Sequence, residues 1–171
     1  MNYLSTLPQI AIFKAKPQDI PYNVSYLFAS FVGALLIAMF SASQTQKLSN
    51  PATYAAVQYI AFAVLFYLIL VVNQKAERFV QSASAFFGIV ALAQILTYLL
   101  IFVAKLGSFA ILISLWSAVV QIYILRETLE SSTLKAVALY ACIQFSIIMI
   151  LLSMFPELAE IVQASMQQPQ A

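Results

Sequence analysis

The chain has 171 residues, of which 8% are charged and 63% apolar, with a net charge of +2. A soluble domain carries about 25% charged residues and cannot hide so large an apolar fraction at this length. Composition thus excludes a water-soluble globule, a disordered chain and a nucleic-acid binder, and points to a protein that crosses a membrane several times.

The chain starts with an apolar stretch in which Leu4, Leu7, Ile10 and Ala11 share a helical face, followed by Lys14 and Lys16. This predicts a cytoplasmic or interfacial segment over residues 1–19. The pattern lacks the basic start, short apolar core and cleavage site of a signal peptide, so the first membrane helix is expected to direct insertion uncleaved. Pro17-Gln18-Asp19-Ile20-Pro21 interrupts any helix. Asp19 suits a helix cap and Pro21 a first turn.

Charge-free runs cover residues 20–46, 48–74, 79–104, 106–125 and 136–156. A spanning helix needs about 20 apolar residues. Five spans follow, at about 22–42, 53–73, 83–104, 106–125 and 134–155. The third and fourth are separated only by Lys105, Leu106, Gly107 and Ser108. A tight hairpin is expected there, with Gly107 ending the helix in the left-handed conformation and a bent or re-entrant pair as the alternative. Asn50-Pro51 opens the second span, and Ser132 or Thr133 caps the fifth. Residues 157–166 form an amphipathic pattern in which Leu158, Ile161, Val162 and Met166 share a face and Glu157 and Glu160 suit a helix start. A short surface helix is expected there, with a disordered tail at 167–171.

Lys14, Lys16, Lys75, Arg78, Arg126 and Lys135 fall on one side of this arrangement, and Lys47 and Lys105 on the other. The excess places the N-terminus in the cytoplasm, and five spans then place the C-terminus outside. The fold class expected is all-α: a polytopic transmembrane helix bundle forming a single membrane domain.

The inventory for chemistry is thin. There is no His, Cys142 is the one cysteine, and the glycines are Gly33, Gly88 and Gly107. Neither a Zn site nor a haem site can be assembled without unusual ligands, an internal disulfide and a His-based catalytic triad are impossible, and no phosphate-binding glycine motif occurs. No cofactor and no enzymatic activity are expected. Apart from Tyr and Cys142, no ionisable group lies well inside a span, which weakens the case for an ion-coupled transporter acting alone.

Four residues break the apolar pattern. Gln58, Gln94, Gln121 and Gln144 lie one in each of spans two to five, with Gln94 and Gln144 near the same depth. They either line a polar path or join helices by hydrogen bonds; the second is the commoner use of such residues. Trp116, near the middle of span four, is expected to pack against other helices. Small residues four apart (Ala29 and Gly33, Ala52 and Ala56, Ser84 and Gly88, Ser114 and Ala118) allow close helix approach, within the chain before between copies. The loops at 73–79 and 126–130 carry mixed charge. Arg78, Arg126, Glu127 and Glu130 are the candidates for partner contact there, and Glu127 and Glu130 could pair with Arg78 or Lys75. Gln94, Gln144 and Trp116 are the candidates for bundle integrity.

Several stretches together resemble the Yip1-like small membrane proteins, in particular uncharacterised proteobacterial inner-membrane members. They are Pro17-Gln18-Asp19-Ile20-Pro21-Tyr22, Arg78-Phe79-Val80-Gln81, Trp116 and Ile124-Leu125-Arg126-Glu127. The similarity runs from about Phe13 to Pro156. It implies five spans with a cytoplasmic N-terminus, and for eukaryotic members a partnership with small GTPases. The long N-terminal domain and glycine-rich motifs of those members are absent here, so GTPase binding is assigned to no residue. The function expected is a non-enzymatic scaffold or accessory subunit in a bacterial inner membrane, contacting lipid and another membrane protein or itself. The alternative is a small permease with a polar path through the bundle.

Overall fold

The structure is a computed structural model and describes residues 3–44, 50–103, 106 and 109–158. Among them are six α-helices: α1 Tyr3–Ala11, α2 Val24–Gln44, α3 Pro51–Val72, α4 Phe79–Tyr98, α5 Ala110–Leu129 and α6 Thr133–Met154. Single 3-10 turns at Pro17–Asp19 and Ala76–Arg78 precede α2 and α4, and a π-turn at Leu99–Val103 ends α4. Five of the helices are long and apolar enough to cross a membrane. The turn residues Lys105, Gly107 and Ser108, most of the expected surface helix at 157–166, and the tail at 167–171 lie outside the described residues.

The helix starts follow the capping chemistry in the sequence. Asn50 Oδ1 accepts from the Thr53 amide at 3.1 Å, with Pro51 as first helical residue. Ser132 Oγ accepts from the Lys135 amide at 3.3 Å. α2 differs from expectation. Asp19 accepts from the Lys16 amide at 2.7 Å and closes its own 3-10 turn, while Asn23 Oδ1 accepts from the Ser25 amide at 2.8 Å at the true start. The second proline, Pro21, ends the turn too early for Asp19 to reach α2.

Three helices stop by one device. Phe13, Gln74 and Glu130 have φ of 61°, 58° and 51°. In each case the next amide reaches back five residues: Lys14 to the Gln9 carbonyl, Lys75 to Leu70, and Ser131 to Arg126, at 2.8, 2.8 and 3.1 Å. This is the left-handed helix stop that usually employs glycine. A side chain in that region costs about 1–3 kcal/mol, so surrounding contacts must hold each turn.

The long helices close into a ring in the order α2, α4, α5, α6, α3, each packing on its neighbours. Sequence neighbours α3 and α4 are not adjacent in the ring, although a six-residue connection joins them, and they meet through side chains across the axis. Five helices in a ring leave an axial space, filled here mainly by aromatic rings. Phe62 stacks on Phe86 with centroids 3.7 Å apart, and Phe66, Phe87 and Tyr59 extend the cluster. We call the end with the α3–α4 and α5–α6 connections the charged end, and the opposite one the far end.

α1 does not lie apart from the bundle. Thr6, Ile10 and Ala11 are its buried residues, Tyr3 and Leu7 pack beside them, and Leu4 is 76% exposed. The packed face is therefore rotated from the one expected, which included Leu4. α1 rests on α4 and α5, where Ile10 joins Ala85, Ile89, Val120 and Ile124 in a second apolar cluster.

Candidate functional site: a glutamine-lined axial cavity

The four glutamines of spans two to five come together. Gln58 of α3, Gln94 of α4, Gln121 of α5 and Gln144 of α6 all line one cavity of about 160 Å³ on the ring axis. At 1.5 Å per residue they sit about 12 to 22 Å along the bundle from the charged end. Phe62, Phe86, Phe87 and Ile147 form its apolar wall, and Tyr59 and Tyr140 add hydroxyls.

The polar contacts are specific. Gln94 Nε2 donates to Tyr59 Oη at 2.8 Å, and Gln121 Nε2 donates to Ser117 Oγ at 2.8 Å. The Tyr140 hydroxyl donates to Gln121 Oε1 at 3.0 Å. Gln94 Oε1 is buried with no partner among the described residues. An unsatisfied buried acceptor costs about 1–3 kcal/mol, which a ligand donor or a water would recover.

A second cavity of about 510 Å³ adjoins the first and shares Val90, Gln94 and Gln121 with it. It runs toward the far end past Ser117, Thr97, Ser114, Tyr98 and Ser41. On the other side the axis is shut. Phe66 and Leu70 are fully buried, and Thr128 Oγ1 donates to Ser82 Oγ at 2.8 Å between α5 and α4. The polar space thus continues from mid-bundle to the far end and stops at an aromatic plug before the charged end. Among the described residues, nothing charged lines either cavity.

The serine and tyrosines of this site were not singled out from the sequence. A signal exists: Ser117 precedes Gln121 by four residues and Tyr140 precedes Gln144 by four, which places each pair on one helical face. Trp116, expected in helix packing, points its Nε1–H at the Ala11 carbonyl, 3.1 Å away, and so holds the end of α1. Tyr123 donates to the Ala15 carbonyl at 3.1 Å and Gln81 to the Gln18 and Ile20 carbonyls at 3.0 and 2.7 Å, continuing that attachment.

The four charged candidates are engaged within the chain. Glu130 receives Lys75 Nζ and Arg78 Nη2, each at 2.6 Å, and Arg78 also donates to the Thr128 carbonyl at 3.1 Å. Glu127 pairs instead with Arg126 at 2.5 Å and with Lys16 at 3.2 Å. Hydrogen bonds from Lys75 and then Arg78 hold the Glu130 carboxyl down at about 2.

Fold and site together define an all-helical bundle with membrane-compatible helices and an uncharged polar interior. Comparison with protein-family models, with curated proteins and with solved structures finds no match.

Proposed function

We propose that this is a multi-pass membrane protein that takes an uncharged, hydrogen-bonding small molecule into its axial cavity, as the permease alternative above requires. The observation that carries this is the convergence of four amide side chains, from four different helices, on one cavity. Amides and hydroxyls offer both donors and acceptors but no charge, so the site suits a neutral polar solute and rejects ions on desolvation grounds. The positive-inside bias puts the charged end in the cytoplasm, so the second cavity forms a vestibule that faces outward. A bacterial inner membrane and Yip1-like kinship belong to the same reading.

The test is solute permeation in proteoliposomes of the full-length protein, followed by light scattering after a shift into glycerol or urea. Permeability above that of protein-free liposomes is expected, falling in Gln94→Leu and Gln144→Leu. Rates equal to empty liposomes for every neutral solute would sink the proposal.

The scaffold reading has one observation in its favour. Lys75, Arg78, Glu130, Asn73 and Lys135 tie both loops of the charged end into a connected platform, the last pair at 2.8 Å. A photo-cross-linker at Glu77, whose side chain is 68% exposed, would capture a discrete protein partner if that platform docks one.

A further inference from the structure

We infer that a groove beside α5 at the charged end binds one anionic phospholipid, its phosphodiester held by Lys16 and Arg126 and an acyl chain laid along Val119 and Ile122. The groove has a volume of about 580 Å³ and is walled by Phe13, Val119, Ile122, Tyr123, Arg126 and Thr133, with Lys16 and Glu127 beside them. It is separate from the glutamine cavities, with which it shares no residue.

The charges do not balance. Among the described residues Glu127 is the one carboxylate lining the groove, and both Arg126 and Lys16 pair with it. Adding the flanking Lys14 and Asp19 leaves the same surplus of one positive charge. Glu127 is 14% exposed, whereas Arg126 and Lys16 are 40% and 64% exposed. The carboxylate therefore positions the two cations from below, and their outer N–H groups remain available. Arg126 is further fixed over the Tyr123 ring, 5.4 Å from its centroid. Its Nε and Nη2 donate to Glu127 Oε1, which leaves Nη1 and the outer Nη2–H for phosphate oxygens.

The start of α6 adds to this. Thr133 lines the groove as the first residue of a 22-residue helix; Ser132 Oγ caps the Lys135 amide, and the positive end of the helix dipole favours an anion beside Thr133.

The apolar part selects a lipid over a free anion. Val119, Ile122, Tyr123 and Arg126 are spaced three, one and three residues apart, so they form one stripe along α5. At 1.5 Å per residue the stripe runs about 10 Å inward from Arg126. Val119 is 54% exposed and Phe13 45%, so this wall is open to an acyl chain. Basic pockets between membrane helices on the cytoplasmic side bind anionic headgroups in this manner.

The test is native mass spectrometry of the full-length protein released from nanodiscs of equal parts phosphatidylglycerol and phosphatidylcholine. Preferential retention of one phosphatidylglycerol is expected. Retention should fall about tenfold or more in Lys16→Gln/Arg126→Gln, since each basic group near an anionic surface contributes about a factor of five. Glu127→Gln, which removes the competing negative charge but keeps an acceptor oxygen beside both cations, should raise it; this variant keeps the proposal testable if the double variant unfolds. Equal retention of the two lipids, or no response to any variant, overturns the proposal. Displacement of the bound lipid by millimolar inorganic phosphate alone also overturns it, by assigning the site to a free anion.

Discussion

Gly88 sits where α1 crosses α4, and its missing side chain is what lets α1 approach. A methyl group there would collide with the Tyr3 hydroxyl and with both terminal methyls of Leu7. The tighter of these contacts is with a side chain held in place. Tyr3 donates to the Ser84 carbonyl at 3.1 Å and stacks on Tyr26 with centroids 4.9 Å apart. At Gly33 of α2 the same methyl would meet nothing within 4 Å. The two glycines, each second in a small-residue pair of similar appearance in the sequence, are therefore expected to answer differently. Gly88→Ala should destabilise by about 1–3 kcal/mol, the range for overpacking. Gly33→Ala should be neutral or stabilising by up to about 1 kcal/mol, the helix-propensity gain. Trp116 is the single tryptophan and bonds the last residue of α1, so its fluorescence reports the docking. Brominated detergent should quench it more strongly in Gly88→Ala than in the parent. Equal quenching and equal thermal stability in both variants would show that α1 is not seated on Gly88.

The helices are joined at the charged end by one acidic residue. Glu130 leaves α5 in the left-handed conformation and receives Lys75 from the end of the α3 turn and Arg78 from the start of α4. Its carboxyl is held at about 2, against an ordinary 4.5, so the folded state favours the charged form. The sign follows from that depression. The contribution to stability is fully present above about 4.5 and is lost as pH falls toward about 2. Thermal unfolding of the detergent-solubilised protein should show a larger acid loss over this window than Glu130→Gln does, and the variant should be the less stable at neutral pH. Parallel curves would remove Glu130 from the tie. The sequence already showed that these loops carry complementary charge, and it placed all five long helices to within a few residues, because a charge-free run of that length has one common use. It did not show which carboxylate meets which cation. Glu127 and Glu130 are three apart on a helix that ends between them, and the turn at Glu130 swings its side chain to the α3–α4 loop while Glu127 stays against Lys16. Nor was the ring order visible. A helix that is apolar on every side has no stripe to mark its inner face. Only the glutamines marked that face, and their meeting point required knowing how each helix is rotated.

The ring has a direction, since its polar space reaches the far end and is stopped by aromatic side chains toward the charged end. Phe62, Phe66, Phe86 and Phe87 occupy the axis just where Gln121 and Gln144 cease. Stacked rings exclude water without offering a polar partner, so a solute entering the vestibule would halt at the glutamines unless the plug moves. That asymmetry makes access one-sided. In a Cys142→Ser background, Thr97→Cys and Ser117→Cys place a thiol in the vestibule wall, while Ser82→Cys places one behind the plug. A membrane-impermeant methanethiosulfonate should modify the first two from outside in intact cells and spare them in inverted vesicles. Ser82→Cys should resist from both sides, since Ser82 is fully buried against Thr128. Modification of the vestibule thiols only in inverted vesicles would reverse the orientation. Their silence from both sides would mean that the cavity holds no water, leaving the glutamines as links between helices. Reaction of Ser82→Cys with reagent applied from the far end, together with the vestibule thiols, would show the plug opening. The axis would then be a continuous path through the bundle rather than a pocket closed at its middle.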